Sequence, residues 1–237
     1  MPAAVPDSPI HPAAVRPAKT RVATGLATLV FAGLLLLSVF GQARAHAAGQ
    51  QPWQIESGIE REFSDVRTGL ILEDPDAGTF ETEGLVTGPA AVELKASAPG
   101  QFRQLNSALD RARAASIARD QVALGSAQGE AIAALRFGAY RTALAMTEAN
   151  RPERAKAWLQ VRDFRPTTRY SRPAVEATDA LNSLAEGDMT PEEAATLVDK
   201  DLLDTYQARV RIGLEAAATA GKNGYAPRFA EQVALTH

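Results

Sequence analysis

Apolar residues recur at three- and four-residue steps through most of the second half of this chain, which is the spacing of one face of an α-helix. From Trp53 onward, Ile59, Phe63, Val66 and Leu70 follow steps of four, three and four, and predict a helix ending near Glu73. Phe102, Leu105, Leu109, Ala112 and Ser116 begin a second, expected to reach Leu124 and to break at Gly125 and Ser126. Ile132, Leu135, Ala139, Ala143 and Met146 carry a third to Asn150. Arg151-Pro152-Glu153 then opens a helix with proline in its first turn, whose stripe is Ala155, Trp158, Leu159 and Arg162 and whose end is expected near Phe164.

Prolines punctuate the next segment. Pro166 and Pro173 disfavour helical geometry at the residues before them, so residues 165–172 read as a rigid extended link. Pro173 suits the first turn of another helix, continued by Val175, Thr178, Leu181 and Leu184 to a stop at Gly187. Thr190 is an N-cap, with Pro191 after it and Glu193 placed to complete a capping box. Leu197, Leu202, Tyr206, Val210 and Leu214 extend that helix to about Ala220, where Gly221 and Gly224 end it, and Phe229, Val233 and Leu235 suggest a last short one. Between Asp74 and Gly100 the period is lost among prolines and glycines. This interval reads as a loop or distorted hairpin, with Thr79–Val86 as its strand candidate. Alanine between the larger anchors suits close antiparallel packing, so the fold class is all-α, an antiparallel helical bundle.

The first 47 residues have a different character. Arg16, Lys19 and Arg21 precede Val22–Phe40, an uncharged run, and Ala45-His46-Ala47 offers the small-x-small pattern of signal peptidase sites. The run is nineteen residues long, near a spanning length, so a cleaved signal and a retained membrane anchor are both open. Cleavage predicts a mature chain beginning near Ala48; an intact Met1 on membrane-bound protein marks an anchor. Either outcome places the remainder outside the cytoplasm, as an irregular acidic segment with one amphipathic helix over 48–100 and a helical bundle over 101–237.

Charge and composition narrow the chemistry. The 25 basic and 28 acidic residues of the whole chain become 21 and 27 once Arg16, Lys19, Arg21, Arg44 and Asp7 leave with residues 1–47, which argues against a nucleic-acid partner. His237 is then the one remaining histidine, and cysteine is absent throughout. Histidine or thiolate metal sites, a Ser-His-Asp triad and disulfides are therefore all hard to assemble. With no phosphate-binding glycine loop and no metal-hydrolase motif, the chain does not read as an enzyme.

Two clusters hold candidate function. Glu56, Glu60 and Glu62 begin an acidic interval that continues through Asp65, Glu73, Asp74, Asp76, Glu81 and Glu83. Glu56 and Glu60 share a helix face. Carboxylates of this kind suit a hard cation such as iron, with Tyr170 or Tyr206 as further oxygen ligands for the ferric ion, and they equally suit a solvated acidic face. Arg162, Arg165, Arg169 and Arg172 crowd the proline joint, either as a corner tied to Asp163, Glu176 and Asp179 or as a surface for an anion or a docking partner. Asp201, Asp204, Glu192 and Glu193 read as acidic pairs near helix starts, where the helix dipole stabilises them.

At the joint the chain resembles a known family. WLQVRDFRPTTRYSRPAVEATDAL, followed by TPEEA and DLLDTYQARV, is similar to the extracytoplasmic region that precedes the membrane permease in bacterial high-affinity iron permeases of the FTR1 family, a likeness covering about residues 100–215. The resemblance implies a helical module of an iron-uptake system, with a membrane permease subunit or domain as partner and iron as cargo. Against the family's pattern, the Arg-Glu-x-x-Glu motif of its membrane helices is absent, and no stretch after residue 40 is long and apolar enough to span a bilayer. Arg61-Glu62-Phe63-Ser64-Asp65 is not its equivalent, since it lies on an amphipathic segment and ends in Asp. An exported or membrane-anchored helical interaction protein without a metal role is the other reading of the same residues.

Overall fold

The computed structural model describes residues 50–73, 78–161 and 177–236. Residues 1–49, which include the apolar run, and the arginine joint with Arg162, Arg165, Arg169, Arg172 and Tyr170, lie outside the described residues.

Eight helices and no strand occur among the described residues. In chain order they are α1 (Pro52–Ile71), α2 (Gly88–Ser97), α3 (Pro99–Ile117), α4 (Gln121–Glu148), α5 (Pro152–Leu159), α6 (Ala177–Glu186), α7 (Pro191–Lys222) and α8 (Ala226–Ala234). The fold is all-α, and residues 49–237 form one unit. No helix of the described residues is long and apolar enough to cross a membrane.

α4 is the axis of this unit. Its buried residues, among them Leu124, Ala131, Ile132, Leu135, Ala139, Thr142 and Met146, go all the way round the helix, which is the pattern of a helix enclosed by others. α1, α2, α3, α5, α7 and α8 all pack on it. α1 contributes Ile55, Ile59, Phe63, Val66 and Leu70 to the core, and Phe63 packs against Phe80 with ring centroids 4.5 Å apart. α5 buries Ala155, Trp158 and Leu159; α7 begins with the expected capping box between Thr190 and Glu193.

Four local features differ from the sequence expectation. The interval expected to be a loop or hairpin holds α2, and residues 78–87 carry no strand. Thr87 precedes α2 and Pro89 lies in its first turn, a helix start the surrounding glycines and prolines conceal. The break expected at Gly125 occurs instead at residues 118–120. Arg119 takes the left-handed conformation there (φ 55°), the Asp120 N–H donates to the Ala115 carbonyl at 2.9 Å, and the Asp120 carboxylate accepts from Val122 and Ala123 to start α4. This pairs a Schellman-type stop with an N-cap and needs no glycine, although arginine is strained at such a φ. α5 stops at Leu159, short of Phe164. Asp201, expected near a helix start, sits mid-way along α7, fully buried, and accepts the Ala177 N–H at 2.7 Å.

α4 runs unbroken through Gly125 and Gly129 because α8 lies directly on them. A Cβ at Gly125 would overlap the Pro227 carbonyl oxygen, and one at Gly129 would overlap that of Glu231. Absence of a side chain here is a packing requirement, not a helix stop.

Candidate functional site

The main polar feature of the helical core is a seam of charge along α1, α4, α7 and α8. Glu56 and Glu60, one turn apart, both face α4. There the Arg136 Nε donates to Glu56 Oε1 at 2.9 Å, and its Nη2 lies 3.9 Å from Glu60 Oε1. Glu56 and Arg136 are largely buried, with side chains 13% and 18% exposed, whereas Glu60 is 52% exposed. Burial raises the Glu56 carboxyl above its ordinary pKa, and the positive charges of Arg136 and Arg209 offset only part of that.

Tyr206 and Arg209 bring α7 to the same place. Tyr206 stacks against Phe137 at 5.4 Å; burial pushes its hydroxyl above the ordinary range while Arg136 pulls the other way. Further along, the buried Glu231 of α8 accepts from Arg67 of α1 at 3.1 Å and from Arg228 at 2.6 Å, and Arg67 also bonds Gln128 of α4. Glu60, Gln128, Arg136, Tyr206, Arg209 and Glu231 border a cleft of about 590 Å³ between α4, α7 and α8.

Of the three glutamates singled out in the sequence, Glu56 and Glu60 are brought to Arg136 and Glu62 is not. Glu62 turns to the 78–87 segment and accepts the Glu81 N–H at 2.7 Å. Among the described residues no three histidine, aspartate or glutamate side chains converge as a metal ion would require. Arg136 occupies the position between Glu56 and Glu60 that a cation held by both would take. Tyr206, the other oxygen donor named in the sequence, borders the same cleft beside Arg136 and Arg209.

Arg136, Arg209, Arg67 and Glu231 are site residues that the helical pattern of the sequence does not single out. A signal is present for Arg136: it is the lone basic residue in the run Ala131–Tyr140, on a helix apolar on every side, so it needs a buried carboxylate. Glu231 has a local partner in Arg228, three residues away, but Arg67 lies 164 residues away in sequence, and local pattern carries no trace of that contact.

Fold and seam define a class: an all-helical domain built round one enclosed helix, with carboxylate–arginine pairs joining its outer helices. A family model described as iron permease FTR1 N-terminal domain matches residues 50–237, and the chain belongs to that family. No curated protein and no solved structure matches.

Proposed function

We propose that this protein is the extracytoplasmic helical module of an iron-uptake system and works beside a membrane permease portion that moves the ion. The observation that carries this reading is the family match across residues 50–237. Placement outside the cytoplasm draws on the charged flank and apolar run that precede the matched region, read as a signal or anchor. The work is binding or docking, not catalysis, because the region after residue 47 has neither cysteine nor any histidine before His237. Deletion in the native host tests the uptake role: growth and iron accumulation under iron limitation are expected to fall, and unchanged accumulation rejects it.

Whether the module itself takes up iron is tested by calorimetry with chelated ferric and ferrous iron. Capture by the acidic segment predicts a binding heat at neutral pH that fades near pH 4 as carboxylates protonate and is lost in the combined Glu56→Gln, Glu60→Gln, Glu62→Gln variant. Equal heats in both proteins remove those glutamates as ligands. A second reading, a permease-associated interaction module that does not touch the metal, is favoured by Arg136 standing between Glu56 and Glu60. It predicts no heat in either protein together with recovery of the permease on affinity purification from host membranes.

A further inference from the structure

On the other side of α8 from the charged seam lies a larger cleft, about 950 Å³, floored by α4 and walled by α3 and α8. Its two walls differ in chemistry. The α8 wall presents Phe229 and Val233, and the floor presents Phe137, with Ala133 and Ala230 leaving room between them. Phe229 remains 44% exposed, so the apolar surface stays open to solvent and is not closed over by its neighbours. The α3 wall is polar, with Arg103 and Ser107 facing the same space. Arg111, further along that wall, is neutralised by Glu130. Arg103 has no carboxylate partner among the described residues.

An open space of this size, apolar over most of its lining and with few polar groups on one side, is the form of a small-molecule site and lies within the usual range of about 300–1,000 Å³. Charge complementarity selects the ligand. A cation without a counter-ion among the described residues, beside an apolar cleft, favours an anion whose body is apolar, since the carboxylate gains a charge-assisted hydrogen bond and the body removes Phe137 and Phe229 from water. We propose that this cleft binds a small amphipathic carboxylate, its head group at Arg103 and its acyl chain or aryl ring between Phe137 and Phe229. The proposal does not rest on the iron-uptake reading, and no group of the charged seam other than Tyr206, which reaches both clefts, takes part in it.

The test uses the purified full chain, freed of detergent, titrated with decanoate and with 1-naphthoate, the two arms separating a chain from a ring. At least one is expected to bind, and Arg103→Gln is expected to raise its Kd about tenfold, the loss of one charge-assisted bond. Decanol or naphthalene methanol, which lack the charge, are expected to bind the parent and Arg103→Gln alike. Ala230→Trp, which fills the space, is expected to abolish binding of both forms. Should circular dichroism show that Ala230→Trp disturbs the helices, the exposed Arg103 substitution decides alone. No binding of either carboxylate to the parent chain overturns the proposal, as does binding that Arg103→Gln leaves unchanged.

Discussion

Trp158 is fully buried, yet its indole N–H has a partner: Glu93 of α2 accepts it at 2.9 Å while also taking two bonds from Arg154, at 2.9 and 2.7 Å. One carboxylate therefore joins α2 to two successive turns of α5. Trp158→Ala removes a large core side chain and one donor of this set, and is expected to cost about 3–5 kcal/mol by chemical denaturation; a loss below about 1 kcal/mol contradicts the packing. Glu93 gives a pH prediction. Burial pushes its carboxyl up, but the bonds from Arg154 and Trp158 and the charges of Arg154 and Arg151 outweigh that and leave it below the ordinary range. A carboxyl lowered on folding adds stability above its unfolded pKa and loses it as pH falls through the folded value. The parent chain is thus expected to exceed Glu93→Gln in stability near pH 7, with the gap closing below about pH 4. The Trp158 stripe was legible because the ring recurs with Ala155 and Leu159 on one face. Glu93 was not, since a single acid in a stretch of alanine carries no record of a partner 65 residues on.

At the scale of elements, glycine and arginine exchanged their usual meanings. Gly125 looks like a stop and sits inside α4; Arg119 looks like ordinary helix and forms the stop. The first outcome comes from a tertiary contact, the approach of α8, and the second from a local turn that ends α3 without a glycine. Where a capping box or a glycine sets an end, as at Thr190 with Glu193 or at Gly187 (φ 83°), the boundary was readable. The seat of α8 gives a paired test. Gly129→Ala drives a methyl into the Glu231 carbonyl and to 2.7 Å from the Ala234 Cβ, and is expected to lose about 1–3 kcal/mol through overpacking despite the better helix propensity of alanine. Gly58→Ala in α1 meets nothing closer than Leu85 Cδ2 at 3.8 Å, so it is expected to be neutral or to gain up to about 1 kcal/mol. Urea denaturation of the two variants checks both signs, and equal losses contradict the close contact of α4 with α8.

For the whole molecule, the family match begins at residue 50, where the described residues also begin, and residues 49–237 form one unit. A chain started at Gly49 is expected to unfold cooperatively with a midpoint within about 2 °C of the full chain, by thermal scanning; a lower midpoint assigns the leading segment a structural role. The helical class was legible because amphipathic spacing repeats in every long segment. The seam was legible only in half: the four-residue spacing of Glu56 and Glu60 put them on one face, but their partner Arg136 is 80 residues from Glu56, and its identity as the occupant between them is a product of folding.

The seating of α8 also bears on the order of assembly. α3 and α4 are joined by a short turn and can pair as soon as they are made, whereas the strip of α4 around Gly125 and Gly129 must wait for a helix from the far end of the chain. Contacts so distant in sequence form late, because the intervening chain must first be ordered. The seat of α8 on Gly125 and Gly129, and with it the Arg67–Glu231 pair, is therefore expected to close after α3 and α4 have paired.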